Sequence, residues 1–86
     1  MNVQEQLRNY IVSEFMYEQA ADSLTADTDL LNQGIVDSMG ILDLVSYMEE
    51  NFGIQVSDEE ITPENFRTLN TLTEFVNRKN GAPKVA

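Results

Sequence analysis

Gly34-Ile35-Val36-Asp37-Ser38-Met39-Gly40 runs straight into Ile41-Leu42-Asp43-Leu44-Val45-Ser46-Tyr47-Met48-Glu49-Glu50-Asn51-Phe52, and the run closes on Gly53. A turn glycine and two apolar residues precede an Asp-Ser pair, and either residue type serves well as a helix N-cap. The spacing behind that pair predicts a helix from Ser38 to about Asn51 or Phe52, with Gly53 as its C-cap. At about 100° per residue, Ile41, Leu42, Val45, Met48 and Phe52 share an arc of about 120°, with Leu44 at its margin. Asp43, Tyr47 and Glu50 point the other way, Glu49 lies near the apolar edge, and Met39 falls outside the stripe. The hydroxyl of Ser38 then stands at the positive end of a helix dipole, beside backbone N–H groups that lack intrahelical partners. Such a place suits a phosphate.

Upstream, Val3, Leu7, Ile11 and Phe15 recur every four residues, flanked by Tyr10, Val12 and Met16 and broken by no Pro or Gly. This period predicts a first helix from about Val3 to Gln19, its apolar stripe facing a core. From Ala20 to Val36 the pattern loosens into turn and cap formers. Leu24, Leu30, Leu31 and Ile35 give this long loop apolar pegs, so it is expected to pack across the bundle. Asp27 and Asp29 invite a calcium-loop reading. It fails, because the positions of the obligatory glycine and the closing glutamate would be Asn32 and Ser38.

Downstream, Ile54-Gln55-Val56 alternates but has no partner strand, so it reads as an extended connector whose Ile54 and Val56 seal the core. Thr62-Pro63-Glu64 reads as a helix start, with Thr as N-cap and Pro in the first helical position. Thr68-Leu69-Asn70 restarts the chain, which makes this third helix a turn or two. Asn70 or Thr71 is expected to cap a last helix that turns Leu72, Phe75 and Val76 inward, with Arg78 and Lys79 complementing the dipole of its final turn. The sum is an all-α fold: a small four-helix bundle with a long loop after the first helix and a short third helix. One domain covers residues 1–80, and residues 81–86 form a flexible tail.

Composition narrows the chemistry. Eighty-six residues bury only about 60–65% of the surface that the unfolded chain exposes, which leaves little room for an enclosed substrate pocket. There is no cysteine and no histidine, so thiolate sites and the usual general base are both missing. A Ser nucleophile needs a base and an orienting group, and the flanks of Ser38 are not a G-x-S-x-G elbow. Ser38 is acted upon rather than acting, and the chain is not expected to be an enzyme. Fifteen acidic residues face five basic ones, a net charge of −10. No basic residue lies between Asn9 and Phe66. Nucleic acid and anionic membranes are poor partners for such a chain, whereas a basic protein surface is a good one. Self-repulsion on this scale predicts that added salt raises the melting temperature, and an indifferent melt would contradict it. The N-terminus lacks a signal-peptide pattern and no stretch reaches the ~20 apolar residues of a membrane span. A cytoplasmic monomer is expected.

The stretch from Gly34 to Met39, then Leu42-Asp43-Leu44-Val45, Met48 to Val56 and Asp58-Glu59-Glu60, resembles the acyl carrier protein family, which includes peptidyl and D-alanyl carriers. The likeness spans about residues 3 to 79 and is most specific from Gly34 to Glu60. It implies that Ser38 is the attachment site of a 4′-phosphopantetheine arm, transferred from coenzyme A by a phosphopantetheinyl transferase. The arm's thiol holds an acyl or aminoacyl cargo as a thioester, so the chain needs no cysteine of its own. It further implies that Asp37 helps present Ser38 to the transferase and its metal, and that Met39, Asp43, Glu49 and Glu50 form the face offered to basic partners. Two departures point away from fatty-acid synthesis. Gly40 stands where fatty-acid carriers usually have an acidic residue, and the segment Ile61 to Phe66 is longer than in those proteins. The pattern looks more like stand-alone carriers loaded by an adenylating ligase, in nonribosomal peptide, polyketide or amino-acid-carrier pathways, with downstream condensation or acyl-transfer enzymes. A D-alanyl or fatty-acid carrier is an alternative within the family. Outside it, the alternative is an unmodified acidic helical module that binds a basic partner.

Overall fold

The computed structural model describes residues 2–16 and 24–81. Their order is α1 (Val3–Phe15), α2 (Ser38–Phe52), a 3₁₀ turn (Asp58–Glu60), α3 (Pro63–Phe66) and α4 (Leu69–Gly81). The expected small helical bundle is present, and α4 packs against each of α1, α2 and α3. The core is apolar among the described residues: Leu7, Ile11, Leu30, Leu44, Met48, Phe66, Leu72, Phe75 and Val76 are all buried.

Helix α1 starts where Asn2 caps the Glu5 N–H. It ends at Phe15, with the Met16 N–H bonded to the Val12 carbonyl. The expected extension to Gln19 runs into residues 17–23, which lie outside the described ones. The loop from Leu24 to Val36 is tied down, as its apolar pegs require. The Leu30 N–H donates to the Arg67 carbonyl at 2.7 Å, and the Asn70 N–H donates to the Ala26 carbonyl at 3.1 Å. The two aspartates of the failed calcium reading serve structure. Asp27 accepts from the Asn70 amide, and Asp29 accepts from both the main chain and the side chain of Asn32.

Two expectations need correction. The buried arc of α2 is turned toward α1. Leu44, read as marginal, is fully buried, and Leu42, read as part of the stripe, is 57% exposed. Tyr47, read as pointing away, stacks on Tyr10 of α1 with ring centroids 4.0 Å apart. The cause is tertiary. Gly40 has no Cβ, and the ring of Phe15 packs against it, on the same line of α2 as the buried Leu44 and Met48. The second correction concerns α4, which begins at Leu69. Its start is closed by Thr68, whose Oγ1 accepts from the Thr71 N–H at 3.1 Å, so neither Asn70 nor Thr71 is the cap. Gly81 is the last helical residue, and residues 82–86 of the expected tail lie outside the described ones.

Gly53 ends α2 in the left-handed region, at φ +68°, which an L-residue adopts at a cost. It turns the chain into the connector, where Ile54 is buried and Val56 half-buried. The 3₁₀ turn was not expected, although Ser57 and Glu60 stand at capping-box spacing. The Glu60 carboxylate accepts from the Ser57 N–H at 3.0 Å and from Lys79 Nζ of α4 at 2.9 Å. These two donors, Ser57 first, hold the Glu60 carboxyl below its usual range. A carboxyl depressed in the folded state contributes stability that is complete above its unfolded value, about 4.3, and is lost as pH falls through the lower folded value. The melting temperature of the parent should therefore exceed that of Glu60→Gln near neutrality and converge on it in acid. A gap that persists to about pH 2 in a melt series would contradict this assignment.

Candidate functional site

The site is built on the first turn of α2. Asp37, in extended conformation, is the N-cap, and its Oδ1 accepts the Gly40 N–H at 2.8 Å. The Asp37 carbonyl accepts the Ile41 N–H at 2.9 Å. That choice leaves Ser38 as the first helical residue instead of the cap. Ser38 is exposed, and its hydroxyl makes no hydrogen bond among the described residues. The Ile41 N–H makes the first intrahelical bond and the Gly40 N–H is taken by the Asp37 side chain, so of the four N–H groups that open the helix those of Ser38 and Met39 sit at the positive end nearest the hydroxyl. Beside it, Met39 is 72% exposed and Gly40 is buried against Phe15. The seryl oxygen is thus open to a macromolecular partner from outside, while the backbone beneath it is held by the cap and by packing.

The loop behind this turn is fixed as well. The Ile35 and Val36 N–H groups both donate to the Leu30 carbonyl, at 3.0 and 3.1 Å, and Val36 is buried. The approach to Asp37-Ser38 is therefore a fitted segment of the core.

The exposed side of α2 carries the other expected site residues. Asp43 and Glu50 line a groove of about 370 Å³ between α2 and α1, together with Tyr10, Glu14 and Tyr47. Burial first, then the negative charges of Glu14 and Asp43, push the Tyr10 phenol up. Glu49 is exposed too, but it lies on the opposite flank of α2, and its carboxylate accepts the Val56 N–H at 2.9 Å. Leu42 joins Met39 as a large exposed apolar side chain near Ser38. Periodicity placed Leu42 in the core, whereas the structure exposes it. Its position one turn after Ser38 was the available signal. Described cations other than Arg8 engage residues away from this face: Arg67 reaches Asp29, Arg78 donates to Asn65 and Lys79 pairs with Glu60.

A small helical bundle with an exposed serine at the head of an acidic helix fits a carrier domain. The family model described as "Phosphopantetheine attachment site" matches residues 5–76, and the chain belongs to that family. It is 30% identical over 82 residues to a probable acyl carrier protein, PigG, of Serratia sp. (strain ATCC 39006), covering 95% of this chain and 93% of that one. It is 35% identical over 76 residues to a D-alanyl carrier protein of Streptococcus suis (strain 98HAH33), covering 88% and 92%. Among solved structures, the solution structure of the holo acyl carrier protein NE2163 from Nitrosomonas europaea superposes with a TM-score of 0.76. That match has 32% identity and covers 93% of this chain and 98% of that one. The protein is a carrier whose covalent cofactor is 4′-phosphopantetheine. Carrier proteins of this kind are generally not catalysts themselves. No helix among the described residues is long and apolar enough to cross a membrane.

Proposed function

We propose that Ser38 is the residue that bears the arm, and that the carrier takes an aminoacyl cargo from a separate adenylating ligase and delivers it to downstream acyl-transfer or condensation enzymes. The observation that carries the first part is the exposed Ser38 hydroxyl, without a hydrogen bond among the described residues, at the first position of a 15-residue helix. The Ser38 and Met39 N–H groups and the helix dipole favour a phosphodiester there. The bound arm supplies a terminal thiol on which cargo rides as a thioester. Asp37 fixes the turn through one carboxylate oxygen and offers the other to the transferase's metal. Met39, Leu42, Asp43 and Glu50 form the docking face for a phosphopantetheinyl transferase and other partners with basic surfaces. Charge of this kind quickens encounter and sets orientation more than it adds affinity, which suits a shuttle.

The pathway reading rests on Gly40 after Asp-Ser-Met and on the names of the relatives, one a probable acyl carrier and one a D-alanyl carrier. A D-alanyl cargo is one case of that aminoacyl reading, and an acyl cargo is the second reading. Intact-protein mass after incubation with coenzyme A, Mg²⁺ and a broad-specificity transferase tests the attachment site, with Ser38→Ala beside it. The loaded protein is then offered to adenylating ligases with D-alanine or other amino acids, and the added mass names the cargo. Cargo gained only from acyl-activating enzymes would overturn the aminoacyl reading.

A further inference from the structure

Glu49 and Glu50 are neighbours in sequence but serve different flanks of α2. Glu50 faces the groove shared with Tyr10 and Glu14 of α1. Glu49 faces a groove of about 590 Å³ on the other side, bounded by Ile54, Val56, Glu60 and Lys79. Three contacts close the turn there. The Glu49 carbonyl accepts the Gly53 N–H at 3.2 Å, its carboxylate accepts the Val56 N–H at 2.9 Å, and Glu60 accepts the Ser57 N–H at 3.0 Å. One residue thus holds the chain on both sides of the left-handed Gly53, through its main chain and its side chain.

We propose that Glu49 is a positioning residue that clasps the 53–57 connector onto α2, and that it stands outside the docking face. An extended connector has no ladder to satisfy its N–H groups, so a carboxylate that takes the Val56 N–H decides where Ile54 and Val56 lie on the core. The groove also carries its own cation, Lys79, already paired with Glu60. On this side Lys79 offsets one of the two lining carboxylates and the Glu49 carboxylate is already engaged by Val56, whereas the flank of Asp43 and Glu50 offers a basic partner carboxylates from both helices, with no cation in its lining among the described residues.

The test uses amide hydrogen exchange on the full chain and transferase kinetics on the same variants. Glu49→Ala should speed exchange at the Val56 amide by about tenfold, while Glu49→Gln, whose amide oxygen still accepts, should stay within about threefold of the parent. In arm loading, Glu50→Gln and Asp43→Asn should raise KM, and Glu49→Gln should not. Unchanged Val56 exchange in Glu49→Ala overturns the clasp. So does a KM penalty in Glu49→Gln equal to that of Glu50→Gln. The exchange readout does not depend on Ser38, so absence of loading in every protein, parent included, would sink the Ser38 assignment and leave this result standing.

Discussion

Ser38→Ala is expected to abolish arm attachment completely while leaving the fold intact. Under conditions that convert the parent, its intact mass should not change at all. Its unfolding free energy should stay within about 0.5 kcal/mol of the parent, the range of surface changes that break no specific contact. The reason for the separation is local. The cap of α2 is Asp37, which accepts the Gly40 N–H, and the Ser38 hydroxyl supports nothing among the described residues. Alanine is also a good helix residue at an exposed first-turn position. Asp37→Ala should behave in the opposite way: it loses a cap worth about 1 kcal/mol and slows loading, yet retains the attachment hydroxyl. A Ser38→Ala protein that still gains one phosphopantetheine would place the arm elsewhere. One that unfolds would show that Ser38, and not Asp37, closes the helix.

How much of this was legible in the sequence follows from which forces are local. The limits of α2, its Gly53 cap and the Thr62-Pro63 helix start are decided by backbone chemistry within a few residues, and they stand in the structure as the sequence predicts. The Asp-Ser pair and the acidic run behind it are what single out Ser38 as the proposed attachment site. The register of α2 against its neighbours was not legible from periodicity, because Leu42 and Leu44 are alike as side chains. Which of them is buried depends on how α2 meets the rest of the chain, including the approach of Phe15 to Gly40. The same limit hid the separation of Glu49 from Glu50. A helical wheel places them 100° apart, but only the returning connector shows that one of them has a main-chain partner. The 3₁₀ turn is a different case. Ser57 and Glu60 carried the spacing, and the pairing of Glu60 with Lys79 across the fold, which adds to their local bond, was not legible from the local sequence.

Gly40→Asp should be the most damaging single change near the site, at about 2–4 kcal/mol. An ideal Cβ at position 40 would lie 2.8 Å from Phe15 Cε1 and 3.3 Å from Asp37 Oδ1. The first distance is an overlap with a half-buried ring. The second sets any acidic side chain beside the carboxylate that caps the helix. Overpacking alone costs about 1–3 kcal/mol, and a carboxylate brought into this buried position adds its desolvation and like-charge repulsion. Gly40→Ala provides the scale. It meets the same ring but gains about 1 kcal/mol of helix propensity, so its net cost should be no more than about 1–2 kcal/mol. For a domain of this size each kcal/mol moves the melting temperature by about 4–8 °C, so the two variants should be well separated in a thermal melt. Phe15→Ala removes the obstructing ring and should recover part of the loss in the double variant, a coupling of about 0.5–3 kcal/mol in a double-mutant cycle. Additive effects, or a Gly40→Asp protein as stable as the parent, would mean that the ring moves aside freely. Gly40 would then mark only a departure from the fatty-acid carrier pattern. A strong coupling would give that departure its physical cause: in this carrier the place of the acidic side chain is taken by Phe15 of the first helix.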